Sequence, residues 1–238
     1  GDPYSVVVIS GVDDHGWTLD KYVIPRLGSG LMAAIEIDLS HPAMKQIPME
    51  FQPQRAEGEV WVLEDSDGKR LPPIDILVHV IGGSQGVTDT WAPSSDWHKV
   101  WRLNLGIAHD LNRVLVPKMQ GRGWGRVIFI SSSAPRLKIG YAPYCSAKGA
   151  LDAYVGAVSK EVGADGVIMS AVAPGTIYTE GRFFSKLTGR ARRDYLSHFL
   201  PIGRLGRSEE VAKVVGFLAS DGASYMAGSI VPVDGGLR

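Results

Sequence analysis

The chain has 238 residues, of which 45% are apolar and 21% charged, and its 25 basic residues balance 25 acidic ones. A chain of this length buries enough apolar surface to fold without disulfides or a structural metal, and a single cysteine excludes a disulfide framework. Zero net charge gives no electrostatic case for nucleic acid or an anionic membrane, and no apolar run approaches the roughly 18 residues of a membrane span. We therefore expect a soluble cytoplasmic protein.

Short apolar runs rich in β-branched residues alternate with helical patterns along the chain. Near-continuous apolar runs at 5–10, 74–80, 127–131 and 168–173 are typical of strands buried on both faces of a parallel sheet, and a short strand closes the chain at 230–233. Helical patterns follow, one opened by Ser94-Ser95-Asp96 as caps, one over about 144–162 and one over 208–220. The alternation predicts right-handed βαβ units, and hence an α/β fold with a doubly wound parallel sheet in a single domain over 1–238.

The stretch from 28 to 69 is harder to interpret. Residues 31–39 and 59–63 resemble strands, and the segment between them holds Pro42, Pro48 and Pro53, which disfavour a long helix. Only about ten residues separate the second of these strands from the 74–80 run, where a full crossover takes a dozen or more. We therefore expect one crossover helix to be shortened or replaced by a loop.

Tyr144 and Lys148 lie four residues apart at the start of a helical pattern, so both side chains project from one face. A lysine ammonium beside a phenol stabilises the phenolate and lowers a pKa that is normally about 10. Such a tyrosine is a usable general acid or base near neutral pH. Because this spacing also arises by chance, its meaning depends on the surrounding segments.

Three other segments supply that context. The strand at 127–131 ends in serines 131–133, at the edge of a parallel sheet where ligands bind, and a hydroxyl there would polarise a substrate carbonyl. Pro174 and Gly175 end the next strand and bring backbone close to a flat ligand, with the Thr179 hydroxyl available to bind an amide group. Asn104 lies on an otherwise apolar helix face and needs a polar partner, either structural or in a proton relay.

Together these segments resemble the short-chain dehydrogenase/reductase family. The resemblance rests on Leu103-Asn104-Leu105, on serines 131–133, on 144–148, on 173–175 with Thr179, and on the closing segment 232–236, in the family's usual order. It implies a Rossmann-type fold and an NAD(P)-dependent oxidoreductase that interconverts a carbonyl and an alcohol. It also implies a homo-oligomer, a dimer or tetramer built on the helices that carry Asn104 and Tyr144.

The resemblance implies a role for each candidate catalytic residue. Tyr144 is the acid/base, Lys148 lowers its pKa and binds the nicotinamide ribose, Ser132 orients the substrate oxygen, and Asn104 anchors a proton-relay water.

Two of these assignments have alternatives. Ser132 lies twelve residues before Tyr144 where thirteen is common in the family, so Ser131 is the alternative serine. Tyr141 lies seven residues before Lys148, the spacing of the family's enoyl-reductase branch, and is the alternative tyrosine.

The predicted dinucleotide site departs from the family pattern at its first turn. That turn holds Gly11 and Gly16, two glycines where the family usually has three, with two aspartates between them. Gly82 keeps the close backbone approach near the adenosine ribose. Glu36 or Asp38 would bond the ribose hydroxyls, although Asp38 could instead contact adenine; the choice between NAD and NADP stays open, leaning to NAD. The other cofactor contacts that the resemblance implies are Tyr144, Lys148, Pro174, Gly175 and Thr179.

The substrate is expected to be a small carbonyl or alcohol compound with an apolar body. An apolar pocket would be lined by Phe183, Phe184, Leu187, Tyr195 and Phe199, next to a basic run at 190–193 that is either a mobile substrate lid or a solvated helix face. No histidine or cysteine spacing suggests a metal site.

Two other functions compete with the oxidoreductase. One is a family-derived enzyme that has lost the dinucleotide and uses the Ser–Tyr pair for non-redox chemistry, as a lyase, cyclase or isomerase. The irregular glycine turn and the curtailed crossover favour it. The other is a catalytically silent partner subunit, which the filled catalytic positions disfavour.

Overall fold

Five parallel strands form one sheet in the part of the chain that the computed structural model describes, namely residues 6–9 (backbone only), 73–180 and 183–238. The strands are β1 (Val6–Ile9), β2 (Ile76–His79), β3 (Gly125–Ile130), β4 (Val167–Pro174) and β5 (Ile230–Val233), and they pair side by side in chain order. The predicted strands at these places are confirmed, with ends moved by no more than two residues. The predicted strands at 31–39 and 59–63 lie outside the described residues.

Alternate residues of each strand face opposite sides of the sheet, and both sides are covered by helices. Leu77 and Phe129 face one side, where they pack against α2 (Ile107–Gln120) and α4 (Ala142–Val162). Val78 and Ile128 face the other side, where they pack against α6 (Ser208–Leu218). All four are fully buried, which explains why the strands read as continuous apolar runs. The three layers confirm the predicted Rossmann-type α/β fold; the domain extent of 1–238 stays a prediction.

The helix that leads to Asn104 differs from its prediction at two points. Helix α1 (Ser94–Trp101) begins at Ser94 itself, with Pro93 in the capping position and no side-chain cap, so the predicted serine caps are wrong. The extended backbone of Pro93 occupies the cap, and Asp96 instead pairs with Lys99 at 2.7 Å. A π-helical turn (Arg102–Gly106) then separates α1 from α2. Apolar spacing did not predict this wide turn.

Two further α-helices lie in the described part. Helix α3 (Ala134–Leu137) follows β3, and helix α5 (Gly189–Phe199) lies between β4 and α6. No residue of α5 is fully buried, so the basic run at 190–193 lies on an exposed helix. The helix is anchored by Tyr195 and Leu196, which pack against a small cluster of Leu200, Leu205 and Leu237.

None of the helices in the described ranges is long and apolar enough to cross a membrane.

We predict that Gly166→Ala is much more destabilising than Gly123→Ala. Both glycines have a positive φ, +77° and +72°, so a side chain adds backbone strain at either position. At Gly166 a Cβ would also lie 2.0 Å from the carbonyl oxygen of Gly123, where β3 and β4 begin, whereas at Gly123 it would meet open space. We expect a loss of about 3 kcal/mol in the free energy of unfolding for Gly166→Ala and about 1 kcal/mol for Gly123→Ala, measured by urea denaturation. Equal losses would show that the contact between the two glycines does not constrain the fold.

Candidate active site

The four residues predicted to be catalytic come together at the carboxyl end of the sheet. Ser132 follows β3, Tyr144 and Lys148 lie in the first two turns of α4, and Asn104 lies in the π-helical turn between α1 and α2. The ammonium of Lys148 and the amide oxygen of Asn104 both lie 2.7 Å from the point where a Cβ on Gly82 would be. The sequence prediction thus selected residues that converge on one place in space.

Tyr144 is mostly buried, and its phenol interacts with the hydroxyl of Ser132. Burial raises the pKa of Tyr144 above its ordinary value of 10.0; the interaction with Ser132 lowers it, and the nearby Cys145 and Asp152 raise it further. We expected Lys148 to lower this pKa, but its ammonium is 6.0 Å from the centre of the tyrosine ring and burial dominates. Tyr144 is therefore a protonated phenol at neutral pH, able to donate a proton.

Lys148 is buried, with 3% of its surface exposed, and its ammonium donates a 2.7 Å hydrogen bond to the carbonyl of Ile130. Burial lowers the pKa of Lys148 from 10.5 to about 8, and the carboxylate of Asp152 acts in the opposite direction. The lysine consequently keeps most of its positive charge at pH 7 and loses it in the mildly alkaline range.

The serine triplet divides its hydroxyls among three different partners. Ser131 donates to the carboxylate of Asp152, and Ser133 donates to the Ala173 carbonyl of β4 at 3.1 Å. Ser132 accepts the N–H of Ala134 at 3.1 Å and is the serine whose hydroxyl interacts with the Tyr144 phenol. This division favours Ser132 over Ser131 as the serine beside the reacting tyrosine.

The two candidate tyrosines occupy different environments. Tyr141 stands in the capping position of α4 with 50% of its surface exposed, whereas Tyr144 lies one turn into the helix against Ser132. A proton donor needs a fixed position relative to the substrate oxygen, and a bond to a serine in turn fixes the phenol. The geometry therefore favours Tyr144.

Asn104 is fully engaged with the backbone. Its amide nitrogen donates to the carbonyls of Gly83 and Val100, both at 2.8 Å, and its amide oxygen accepts the N–H of Gly83 at 3.1 Å. The asparagine is 1% exposed and holds the loop after β2 against the π-helical turn. We expected Asn104 to have either a structural partner or a partner in a proton relay, and the backbone groups of Gly83 and Val100 are structural partners. The proton-relay role stays a prediction. Wide turns of this kind are frequent at functional sites.

The loop after β2 has the geometry that a bound dinucleotide would need. Gly82 is exposed, while the side where its Cβ would point is filled by Asn104 and Lys148, so only glycine leaves the backbone open to a ligand. The residues present thus fit a ligand that lies directly on the backbone beside a buried cation. Gly11, Gly16 and Asp38, the other predicted contacts on this half of the chain, lie outside the described residues.

Pro174 and Gly175 end β4 in a position fixed by the last strand. The N–H of Gly175 donates to the carbonyl of Val233 at 3.1 Å, and a Cβ on Gly175 would lie 2.6 Å from the Cβ of Asp234. The carboxylate of Asp234 also accepts a bond from Ser133 at 3.1 Å. These contacts hold the predicted nicotinamide loop beside the serine triplet. Thr179 lies partly buried four residues further on.

The predicted apolar pocket is only partly recognisable. The rings of Phe184 and Tyr195 are 5.3 Å apart and those of Tyr195 and Phe199 are 5.1 Å apart, so these three side chains do form a group. Phe184 and Tyr195, however, pack into the leucine cluster under α5, and Tyr195 bonds the Thr176 hydroxyl at 2.8 Å. The side chain of Phe183 does not belong to the part of the chain that the structure describes. Leu187 is partly buried.

Near the site, one polar residue has a role that the sequence did not predict, and another is part of the core. Asp152, which bonds Ser131, lies four residues after Lys148, and that helical spacing was a usable signal. His79 at the end of β2 is a core residue: it stacks on Phe129 with ring centres 4.8 Å apart and bonds Asn112 at 2.9 Å. Burial lowers the pKa of His79 to about 4, so it is neutral at pH 7.

Comparison with known proteins gives consistent relatives. A family model described as enoyl-(acyl carrier protein) reductase matches residues 57–238. A 3-oxoacyl-(acyl-carrier-protein) reductase of Pseudomonas aeruginosa is 40% identical over 143 residues, which cover 60% of this chain and 57% of that protein. An acetoacetyl-CoA reductase of Allochromatium vinosum is 32% identical over 170 residues, covering 71% and 68%. The solved structure of a 7α-hydroxysteroid dehydrogenase with NADH and 7-oxoglycochenodeoxycholic acid superposes with a TM-score of 0.70 and 26% identity, covering 98% and 84%.

The parallel sheet with helices on both of its faces defines a Rossmann-type α/β fold class. Within that class the chain belongs to the short-chain dehydrogenase/reductase family, as its motifs predicted. The matched segment spans little more than half, 57%, of the length of the Pseudomonas relative.

We predict that Gly82→Ala is more damaging than Gly83→Ala. The two glycines both have a positive φ, +158° and +149°, which residues with a side chain rarely adopt, so backbone strain is common to the two variants and they provide a matched pair. A Cβ at Gly82 would displace the Asn104 amide and the Lys148 ammonium, whereas at Gly83 its nearest contact is an ordinary 3.9 Å to Leu103. Overpacking of this kind costs about 2 kcal/mol, and we expect the free energy of unfolding of Gly82→Ala to fall by that much more than that of Gly83→Ala. Equal values for the two variants would contradict the packing described for Gly82.

Proposed function

We propose that the protein is an NAD(P)-dependent oxidoreductase that interconverts a carbonyl and an alcohol, with Tyr144, Lys148, Ser132 and Asn104 as its site. The observation that carries the proposal is the interaction of the Ser132 hydroxyl with the Tyr144 phenol, close to the buried ammonium of Lys148. Membership of the family supports it. The names of two relatives support a ketone substrate, since 3-oxoacyl and acetoacetyl groups each contain a ketone.

The chemistry would proceed by general acid catalysis. A reduced nicotinamide, when bound, supplies a hydride and its electron pair to the carbonyl carbon. Tyr144 donates its phenolic proton to the carbonyl oxygen, so the new C–H and O–H bonds complete the alcohol and leave a phenolate. Ser132 holds the phenol in place and donates a hydrogen bond to the same oxygen.

Lys148 stabilises the phenolate that this step leaves. Its ammonium is fixed by the Ile130 carbonyl in a buried site, where charge interactions are stronger than in water. Together with Tyr144 it would bind the ribose hydroxyls next to the nicotinamide. The Gly82 backbone, Pro174, Gly175 and Thr179 would complete this part of the cofactor site.

The protonation of Tyr144 favours the reductive direction at neutral pH. Because burial raises its pKa, the phenol carries the proton that reduction consumes, whereas oxidation of an alcohol would require the phenolate. We therefore propose a reductase whose substrate carries its ketone on a small, largely apolar group, as acetoacetyl-CoA does on its acetoacetyl group.

The finer attributes are also proposals. NAD is favoured over NADP by the acidic candidates Glu36 and Asp38. Family membership supports a homo-oligomer, either a homodimer or a homotetramer, and the single cysteine supports a cytoplasmic location.

The proposed function is tested by titrating the purified protein with NADH and NADPH while following its melting temperature. A ligand at 100 times its Kd stabilises the folded state by about 2.7 kcal/mol, which corresponds to a shift of several degrees. The absence of a shift with either nucleotide at millimolar concentration would contradict the oxidoreductase and favour non-redox chemistry by the Ser–Tyr pair.

We predict that Tyr144→Phe removes turnover but keeps dinucleotide binding. The substitution deletes one hydroxyl, the proton donor, and we expect kcat for reduction of acetoacetyl-CoA to fall by at least about 1,000-fold while the melting-point shift with NADPH or NADH persists. Tyr141→Phe is the matched control, because it deletes the same hydroxyl from an exposed ring, and it should retain near-normal kcat. The reverse pattern would assign the chemistry to Tyr141.

We predict that the reductase loses activity as the pH rises through about 8. The pKa of Lys148 is about 8, and above it the neutral amine no longer stabilises the phenolate; the pKa of Tyr144 is raised, so the phenol itself stays protonated in this range. The pH profile of kcat should therefore have a descending limb with a midpoint near 8. In Lys148→Arg, which stays charged, the activity should be lower but the limb should disappear. A flat profile between pH 7 and 10 in the unsubstituted protein would contradict this role of Lys148.

A further inference from the structure

Three polar residues lie in register along one face of α4. Tyr144, Lys148 and Asp152 follow one another at intervals of four residues, so each stands one helical turn beyond the last. The first two form the proposed acid and its cation. Asp152, a half-buried carboxylate, has no part in the mechanism derived above.

Each of these three residues contacts one of three consecutive residues at the end of β3. Lys148 donates to the carbonyl of Ile130, Asp152 accepts a hydrogen bond from Ser131, and the Tyr144 phenol interacts with the Ser132 hydroxyl. The paired contacts join the helix and the strand end residue by residue. Asp152 is therefore built into the same junction as the acid and the cation.

We propose that Asp152 is a positioning residue of the active site: its carboxylate, held by Ser131, fixes α4 on the end of β3 and keeps Lys148 and Tyr144 in their protonated forms. The physical reason is the sign of its charge. A negative group nearby stabilises an ammonium against loss of its proton, and it opposes the conversion of a phenol into a second anion. The consequence for catalysis rests on the proposed function, whereas the electrostatic coupling does not.

Few charged groups act on Tyr144, Lys148 and Asp152 in the part of the chain that the structure describes. Lys148 is acted on by the charge of Asp152, and Tyr144 by those of Cys145 and Asp152. Burial raises the pKa of Asp152 above its ordinary value, while the hydrogen bond from Ser131 and the charge of Lys148 act in the opposite direction. On the opposite side, the neutral amide of Asn104 approaches Lys148 across Gly82. Asp152 is thus the carboxylate that offsets the cost of burying the lysine.

A purely structural tether would predict something different from an electrostatic role. If Asp152 served only as an anchor for Ser131, any group that accepts the same hydrogen bond would replace it, and the acid–base behaviour of its neighbours would not change. Asp152→Asn makes this distinction, because it has nearly the same shape and its amide oxygen still accepts from Ser131, but it carries no charge. Ser131→Ala is the matched control, because it removes the hydrogen bond and keeps the charge.

The experiment measures the pKa of Lys148 directly, by NMR of protein labelled with [ε-¹³C]lysine, with the resonance assigned by its absence from Lys148→Arg. An opposite charge at short range shifts a pKa by about one unit or more. We expect Asp152→Asn to lower the Lys148 midpoint from about 8 to about 7, and Ser131→Ala to move it much less. No shift in Asp152→Asn, or equal shifts in the two variants, would overturn the proposal.

The unsubstituted protein gives a second measurement that does not depend on either variant folding. Because the charge of Asp152 acts on Lys148, protonation of the carboxyl in acid should produce a second, smaller inflection in the Lys148 resonance. This inflection should coincide with the titration of Asp152 observed with [γ-¹³C]aspartate. A Lys148 resonance that is flat through that pH range would also overturn the proposal.

The catalytic consequence is measured separately, with NADPH or NADH and acetoacetyl-CoA as the probe. A one-unit fall in the pKa of Lys148 reduces its charged fraction about threefold at pH 7.5 and very little at pH 6. Asp152→Asn should show the same pH-dependent fall in kcat with KM unchanged. If no turnover of any ketone is found, the proposed function fails while the NMR titration still decides the coupling. A fall in kcat that is equal at both pH values would indicate that Asp152 acts only as a structural anchor, and it would contradict the proposal.

Discussion

A buried ammonium holds the centre of this molecule together. Lys148 donates to the carbonyl of Ile130 and so joins the second turn of α4 to the last residue of β3. A cation with 3% of its surface exposed is tolerated only if it is bonded and compensated. Ile130 provides the bond and the half-buried carboxylate of Asp152 provides the compensation. The position of Tyr144 one turn earlier, and its contact with Ser132, follow from this junction.

Burial acts in opposite directions on the two groups that would carry the chemistry. It lowers the pKa of Lys148 towards neutrality and raises that of Tyr144, because in each case the charged form is disfavoured. The site therefore combines a phenol that retains its proton with a lysine whose charge is sensitive to mild alkali. This combination suits proton donation to a carbonyl oxygen. Reduction of a carbonyl requires the protonated tyrosine, whereas oxidation of an alcohol requires the phenolate.

Two backbone segments border the site, the loop after β2 and the end of β4. Each is held by a polar side chain that takes no part in the proposed proton transfer. Asn104 holds the loop after β2 through three hydrogen bonds, and its π-helical turn places the amide beside Gly82. On the other side, Asp234 packs against Gly175 and bonds Ser133, which ties the end of β4 to the serine triplet. A Cβ at Gly82 or at Gly175 would lie within 2.7 Å of these polar side chains, so only glycine fits at either position. The rigid positions of these loops are what a ligand lying on the backbone requires.

The sequence by itself determined the layers of the fold and the candidate residues of the site. Strands buried on both faces must be apolar throughout, so the runs that became β2, β3 and β4 were recognisable, and the four-residue spacing of Tyr144 and Lys148 placed them on one helix face. Local patterns carry no information about which group a side chain meets across the fold. Only the tertiary structure therefore decided that Ser132, and not Ser131, contacts Tyr144, that Asp152 belongs to the same junction, and that burial raises the pKa of the tyrosine. The π-helical turn at Asn104 was also decided by the tertiary structure. Its wide geometry accompanies hydrogen bonds to Gly83, 21 residues away in the chain, and spacing along one helix carries no information about such contacts.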